Sequence, residues 1–470
     1  MNLSLKIAFN TLAQFVGKII STILGLIAIA LITRYLGQKG FGEYITIITF
    51  LSFFAIVADM GLTLISSQML SQPNNEKEKI ISNLMSFRLV SAIVLIVIAP
   101  FVVFLFPYNE TIKIGVIIAS FSFVFIALNQ ILTGFFQYKL RTDKISLAEV
   151  IGRIAFLLGV IIVWKLNFGL KGILLAMVLS SFINFVWLFK ESKKFIKLKL
   201  DFDWQLWHKL IKKSWPLAVT IILNLLYLKT DTLILSLIKT PEEVGIYGAA
   251  YKVIDVLVTV PFMFAGITLP ILSRLWATKK LQQFQQTLQH SFNIMVILAL
   301  PLIFGAQIFA EKIMVLIAGK NFTASGPILK ILIIASSLIF MSCIFAHGVV
   351  AIDKQKKVIG AYIFVAITSV IAYIVFIPKY SYFGAAWTTV YSELAILITS
   401  LYIVWRYTKF VPHLNLLFKS LLASLIMFGA LYYLKDINSI ILFIIGSCFY
   451  FISLYLIGGL KKEYFTFSHS

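Results

Sequence analysis

The chain has 470 residues, of which 60% are hydrophobic and only 13% are charged, whereas about 25% of residues are charged in average soluble domains. This composition excludes an ordinary soluble domain and is typical of a chain that lies in a lipid bilayer. The net charge of +22 suggests nucleic-acid binding only in a soluble chain. Here the lysines and arginines gather in alternate loops between apolar segments, so no nucleic-acid partner is predicted.

Apolar stretches long enough to cross a bilayer follow one another along almost the whole chain. One spanning helix needs about 20 mostly apolar residues, and a window of 19 residues finds about 14 such stretches. The first is centred on IISTILGLIAIALITRYL and the last on ILFIIGSCFYFISLYLI. The sequence therefore predicts an all-α integral membrane protein with about 14 transmembrane helices.

A short motif occurs once in each half of the chain. In TRYLGQKGFGEYITI and IKTPEEVGIYGAAYKVI a charged turn leads into a new span through Gly42-x-Tyr44 and Gly245-x-Tyr247. The repetition suggests two equivalent six-helix lobes, although small and aromatic residues also recur at membrane interfaces for other reasons. The predicted parts are an N-terminal lobe at 1–190, a linker at 191–213, a C-terminal lobe at 214–410, and two extra helices with the tail at 411–470.

The predicted linker is the richest basic segment of the chain. KESKKFIKLKLDFDWQLWHKLIKKSW alternates lysine with aromatic and aliphatic residues, a pattern typical of segments that lie on anionic lipid headgroups. We therefore predict a headgroup-binding segment at 190–213, with docking of a partner protein as the alternative. The same loops that carry most basic residues place both termini in the cytoplasm by the positive-inside rule.

Signals for enzymatic chemistry are absent from the sequence. No phosphate-binding loop is present, and Cys343 and Cys448 both fall inside apolar spans, away from any metal-binding spacing. A glycosyltransferase or polymerase needs catalytic carboxylates in a sizeable loop outside the membrane, and the outer loops here have only a few residues. The sequence predicts a transporter rather than an enzyme, with no cofactor and no metal.

Three segments resemble a known family. YLKTDTLILSLIKTPEEVGIYGAAYKVIDVL, LITRYLGQKGFGEY and FGAAWTTVYSELAIL are similar to the polysaccharide repeat-unit flippases, the Wzx-like O-antigen and capsule transporters. This family belongs to the multidrug/oligosaccharidyl-lipid/polysaccharide (MOP) exporter superfamily. The resemblance extends from about residue 10 to about residue 455 and is moderately specific.

The resemblance implies a fold and a substrate. The fold is two six-helix lobes with two added C-terminal helices, and the substrate is an undecaprenyl-diphosphate-linked oligosaccharide repeat unit moved to the outer leaflet of the cytoplasmic membrane by alternating access. The polysaccharide polymerase machinery is an implied partner. Two alternatives stay open within the superfamily: a MATE-like cation or drug antiporter, and a flippase of lipid II or teichoic-type substrates.

Ionisable residues inside the spans are the candidate site. Each costs at least about 2.5 kcal/mol at bilayer depth, so each is expected to face a polar interior. Lys229 and Asp231 lie about 200° apart around one helix and need different surroundings. Arg88 and Lys18 have no acidic neighbour on their own helices, which suits a diphosphate ligand, although a cation near the interface can also extend to the headgroups. The predicted substrate-binding cations are Lys18, Arg88, Lys229 and Lys252.

The remaining charges in the spans are assigned to ion coupling or to structure. Glu149 and Arg153 are four residues apart in the order that favours an ion pair on one helix. Lys252 and Asp255 are three residues apart on one face of the next span, so a bridge between Asp231 and Lys252 across the two helices is predicted. Whether protons or sodium ions drive transport is left open. The predicted coupling or structural charges are Asp59, Glu149, Arg153, Asp231, Asp255 and Glu393.

Overall fold

The structure is a computed structural model that describes residues 3–59, 62, 77–197, 199–434 and 438–460. This part of the chain contains 13 α-helices, one short 3-10 helix and no β-strand, which confirms the predicted all-α class. The end of the tail, residues 461–470, lies outside the described residues.

The first six helices precede the middle of the chain. They are α1 (Leu3–Asp59), α2 (Lys77–Phe104), α3 (Glu110–Tyr138), α4 (Thr142–Leu166), α5 (Gly169–Ser192) and α6 (Trp204–Ile238). Seven helices follow, with the 3-10 helix Lys320–Phe322 between the third and fourth of them. They are α7 (Pro241–Leu257), α8 (Thr259–Ala277), α9 (Leu281–Ala318), α10 (Ser325–Ala351), α11 (Gln355–Thr408), α12 (Asn415–Tyr433) and α13 (Ser439–Leu456).

Ten segments of the described chain are long and apolar enough to cross a membrane. Two of them, in α1 and α11, each contain two helical limbs, because Gly37 (φ 64°) and Ser381 (φ 50°) have left-handed backbone conformations that interrupt the helix. The shorter apolar helix at Ile441–Leu456 and the long helix α6 add two more candidates. The structure thereby confirms about 14 spans in a multi-pass membrane protein.

The chain divides into two compact units, Met1–Gly245 and Ile246–Ser470. In the first unit, α1 packs on α4, α3 and α6, and α6 also contacts α2. A core of Leu84, Ile131 and Phe135 lies under α2 and α3, and none of these side chains is more than 1% exposed. The predicted lobe limits, at 190, 213 and 410, stay predictions.

The second unit is built around α9, α10 and α11, which pack closely on one another. Its core includes Met295, Ile344 and Val404, all 0% exposed. Helix α12 packs on α9, and α13 packs on α12 around the buried residues Met427 and Leu442. The two helices predicted as an addition therefore form a layer against α9 of this unit.

The two repeated glycines lie against each other. A Cβ atom on Gly42 would be 1.7 Å from the carbonyl oxygen of Pro241 and 2.9 Å from the amide nitrogen of Gly245. A Cβ atom on Gly245 would be 2.1 Å from the carbonyl oxygen of Gln38. Only glycine allows two backbones to approach this closely. The motif found in the sequence therefore marks a contact between the second limb of α1 and the start of α7.

We expect Gly42→Ala to destabilise this contact strongly, because a methyl group cannot fit at 1.7 Å from a backbone oxygen. Overpacking of this kind costs at least about 1–3 kcal/mol. Thermal unfolding of the purified protein in detergent measures the effect. Gly266→Ala is the matched control, since a Cβ atom there has no neighbour within 4 Å. Equal unfolding temperatures for the two variants would show that the glycine contact is not needed.

Candidate functional site

Arg88 is the most deeply buried cation of the candidate site. Its side chain on α2 is 1% exposed, and its Nη2 atom lies 2.7 Å from Oδ1 of Asp59 on α1, whose side chain is 13% exposed. The guanidinium also donates to Oε1 of Gln130 and, through Nε at 3.2 Å, to the carbonyl oxygen of Ala127 on α3. Arg88 has no acidic neighbour on its own helix, but the expectation that it is therefore unpaired is wrong, because its carboxylate partner lies on α1.

This network has a structural consequence. Arginine offers five donors in a fixed plane, so one side chain can satisfy acceptors from α1 and α3 at once. Removing the partner of a buried charge leaves that charge uncompensated, which is far more costly than losing a surface pair. The guanidinium of Arg88 therefore joins the first three helices. Its predicted contact with substrate stays a prediction.

Lys18 has a different environment. It lies on the exposed side of α1, among exposed apolar residues that include Phe15 and Ile19. The neighbouring face of the helix packs tightly on α4, because a Cβ atom on Gly17 would be 2.6 Å from Cβ of Ser146. A lysine on an apolar surface places its ammonium group toward the nearest polar layer. Its role as a substrate ligand stays a prediction.

The predicted pair of Glu149 and Arg153 is not formed. Within the described ranges, no ion pair joins the two side chains, although both lie on α4. The guanidinium of Arg153 lies instead along α1, with Nη1 3.7 Å from the position of a Cβ atom on Gly25. A spacing of four residues permits an ion pair but does not require one. Here the Arg153 side chain packs beside Gly25, where the missing side chain leaves room for it.

Lys229 and Asp231 lie on α6 in unequal surroundings. Asp231 is 0% exposed and accepts a hydrogen bond from the amide of Thr232 at 2.5 Å, whereas Lys229 is half-buried. The two side chains therefore differ in their access to solvent, as expected for residues on opposite sides of one helix. Their roles, in substrate contact and in structure, stay predictions.

Two acidic residues of the second unit complete the candidate set. Asp255 forms an ion pair with Lys252 on the same helix, with Nζ 3.1 Å from Oδ2, and both side chains are partly exposed. Glu393 on α11 is 3% exposed. It lies near the thiol of Cys343 and the phenol of Tyr362. In the part of the chain that the structure describes, Glu393 has neither an ion pair nor a hydrogen bond.

One cavity was not predicted from the sequence. A groove of about 710 Å³ lies between the two limbs of α11 and is lined mainly by aromatic residues, among them Phe376, Trp387 and Tyr391. The bend at Ser381 separates the two limbs that line it. Hydropathy places a break between two spans here, but it does not indicate the groove. Among the described residues, no group of three histidine, cysteine or acidic side chains is placed to hold a metal ion.

Comparisons with known proteins extend over most of the chain. A family model described as polysaccharide biosynthesis protein matches residues 7–276, and the MatE model matches residues 216–376. A protein of Haloferax volcanii named probable low-salt glycan biosynthesis flippase is 21% identical over 456 residues, which are 95% of this chain and 94% of that protein. A protein of Shigella flexneri named as an O-antigen transporter is 22% identical over 424 residues, 86% of this chain and 98% of that one.

A solved structure of the lipid II flippase MurJ, in an inward closed conformation, has the same fold. It aligns with a TM-score of 0.79 at 19% identity and covers 94% of this chain and 98% of that chain. Because this share of the chain exceeds the length of either compact unit, the similarity of fold includes residues of both.

We expect Asp59→Leu to reduce the free energy of unfolding by about 3–5 kcal/mol, because it leaves the Arg88 guanidinium buried without its carboxylate. The double variant Asp59→Leu/Arg88→Met removes both charges and is expected to recover most of that loss. Denaturant titration in detergent micelles measures both values. Glu110→Gln is the control, because that side chain is 74% exposed in its pair with Lys113 and its loss costs about 1 kcal/mol or less. A double variant no more stable than the single one would contradict this account.

Proposed function

We propose a function from the premise that this chain belongs to the polysaccharide biosynthesis protein family, within the MOP exporter superfamily. The protein translocates an undecaprenyl-diphosphate-linked oligosaccharide repeat unit from the cytoplasmic to the outer leaflet of the cell membrane. The observation that carries this proposal is the match of the family model to residues 7–276. Support comes from the relative named a glycan biosynthesis flippase, which aligns over 95% of this chain.

The architecture suits this task physically. A polyprenyl tail remains in the lipid while the charged headgroup crosses, so a transporter needs only to shield the headgroup. Ionisable side chains in the spans supply polar surroundings at a depth where water is scarce. Alternate opening of a polar pathway to the two sides of the membrane then moves the headgroup without removing the tail from the bilayer. Surface polysaccharide synthesis is the process that this step serves.

The cations of the site divide into two groups in this proposal. Lys18, Lys229 and Lys252 are the proposed ligands of the diphosphate, because a lysine ammonium group can turn toward a phosphate that enters. Arg88 acts first as a positioning residue for α1 to α3, through its bond to Asp59. A diphosphate that reaches Arg88 competes with this carboxylate.

Glu393 is the proposed coupling residue. A carboxylate that is 3% exposed, at a depth where charge is expensive, responds strongly to the arrival or departure of a cation. Asp59 is less suited to this role because Arg88 already neutralises it. We propose that binding of a proton or sodium ion at Glu393 is linked to the movement of the headgroup.

A MATE-like antiporter is the second candidate, favoured by the match of the MatE model to residues 216–376. Proteoliposomes that contain only this protein distinguish the two functions. A fluorescent undecaprenyl-diphosphate oligosaccharide reports headgroup translocation, and a small organic cation reports antiport. We expect translocation of the glycan lipid and no accumulation of the cation. Cation accumulation without glycan translocation would reverse the assignment.

Coupling is tested in the same vesicles with Glu393→Gln. We expect the stimulation of translocation by a proton or sodium gradient to fall by about fivefold or more, the lower range of typical coupling between sites, while the protein still reaches the membrane. Glu110→Gln is the control, since this residue is highly exposed and should leave the gradient response unchanged. A full gradient response in Glu393→Gln would exclude Glu393 as the coupling residue.

A further inference from the structure

A short extended segment is fastened along α2 by side-chain hydrogen bonds. We name residues 197 and 199–203 the strap; residue 198 lies outside the described part of the chain. Alternate backbone amides of the strap donate to side chains on one face of α2. The four bonds run from Lys197 N to Glu78 Oε1 (3.4 Å), Lys199 N to Ser82 Oγ (3.3 Å), Asp201 N to Ser86 Oγ (2.9 Å) and Asp203 N to Asn83 Oδ1 (2.7 Å).

The spacing of these bonds has a geometric reason. Alternate amides of an extended chain point the same way and lie about 6.6 Å apart. Residues four apart on an α-helix lie on the same face and about 6 Å apart. Glu78, Ser82 and Ser86 have this spacing, so three successive bonds form in register. Backbone amides that lack a regular ladder still need acceptors, and α2 provides them here.

The end of the strap is held most firmly. Asn83 is 0% exposed, accepts from the Asp203 amide and donates from Nδ2 to Oδ2 of Asp201 at 2.7 Å. The carboxylate of Asp203 pairs with Lys79 at 2.8 Å and accepts from the Leu206 amide at 3.0 Å, which caps the start of α6. The hydrogen bond from Lys79 lowers the pKa of Asp203. Both acidic side chains of the strap are thus occupied on the side of α2.

The opposite side of the strap is apolar and exposed. Leu200 is 65% exposed, Phe202 is 60% exposed, and Trp204, at the start of α6, is 77% exposed. The neighbouring Trp207 is buried instead and packs edge-on against Phe87 of α2 at 5.1 Å between ring centroids. The strap and the first residue of α6 therefore leave three large apolar side chains exposed beside a backbone that hydrogen bonds hold on α2. An exposed apolar cluster of this kind marks an interaction surface.

Positive charge surrounds this cluster. Glu191 nearby is already neutralised, because its carboxylate pairs with Lys144 at 3.0 Å and with Lys194 at 2.5 Å. Other lysines, in the strap and on either side of it in the chain, are exposed. They are Lys190, Lys193, Lys197, Lys199, Lys209 and Lys212. The surface consequently combines an excess of cations with tryptophan, phenylalanine and leucine, the combination that binds an anionic membrane surface.

We propose that the strap and the lysines around it form a binding surface for anionic phospholipid headgroups, with Leu200, Phe202 and Trp204 inserted at the boundary of the acyl chains. Tryptophan prefers this layer because its ring is apolar and its N–H group is polar. The lysines contact the phosphates, and the hydrogen bonds to α2 hold the apolar residues in place. This surface binds lipids of the bilayer itself and does not depend on the transported substrate.

Quenching of tryptophan fluorescence by brominated lipids tests the proposal in vesicles. The chain has 8 tryptophans, so the contribution of Trp204 is obtained as the difference in quenched fluorescence between the unmodified protein and Trp204→Phe. We expect brominated phosphatidylglycerol to quench it more than brominated phosphatidylcholine, with a preference of about threefold or more for several lysines near an anionic surface. Lys197→Gln/Lys199→Gln should reduce this preference, whereas the control Lys279→Gln/Lys280→Gln, two exposed lysines before α9, should not.

Three results would overturn the proposal. Equal quenching by the two lipids would show that the surface does not select anionic headgroups. Quenching of Trp204 by aqueous iodide and not by brominated lipid would place the surface in water, as for a site that docks a partner protein. If brominated lipid in a neutral bilayer stopped quenching Trp204 only after a polyprenyl diphosphate was added, the surface would belong to the transported substrate.

Discussion

The cost of placing charge in an apolar medium governs this structure. An isolated ionisable side chain at bilayer depth is unfavourable by at least about 2.5 kcal/mol, so a long apolar chain keeps such residues only where they have partners or a task. Arg88 shows the first solution, because its guanidinium binds Asp59 on α1 and the carbonyl oxygen of Ala127 on α3. Glu393 shows the second, because it is buried without an ion pair or hydrogen bond in the described residues. One group holds helices together and the other is suited to bind a cation.

The same constraint shapes regions outside the spans. Backbone amides that leave regular structure must find acceptors, and the strap finds them on α2 instead of in water. This arrangement turns the acidic side chains inward and leaves the apolar ones outside. Close backbone approach between Gly42 and Gly245 follows related logic, because helices in lipid associate mainly by tight packing and small residues permit it. Hydrogen bonds to α2 thus hold the chain at the start of α6, and a close backbone contact with α1 holds it at the start of α7.

Hydropathy was sufficient to predict the fold class and the number of spans, since each span is an independent, local property of about 20 residues. The glycine motif was also visible, and its two copies lie in contact. Partners in space were not predictable, because Arg88 and Asp59 lie on different helices and spacing rules apply only within one helix. The rule even gave a wrong result for Glu149 and Arg153. The strap depends on residues up to 120 positions apart, so sequence showed its basic and aromatic character but not its attachment.

We propose that this protein moves a lipid-linked glycan across the membrane. The most direct measurement is the accessibility of that glycan on spheroplasts to a membrane-impermeant lectin, with and without the protein. We expect strong labelling of the lipid-linked repeat unit when the protein is present and labelling near background when it is removed. The total amount of the lipid-linked unit should be maintained or increased. Equal labelling in cells that lack the protein would show that it does not move the lipid-linked glycan.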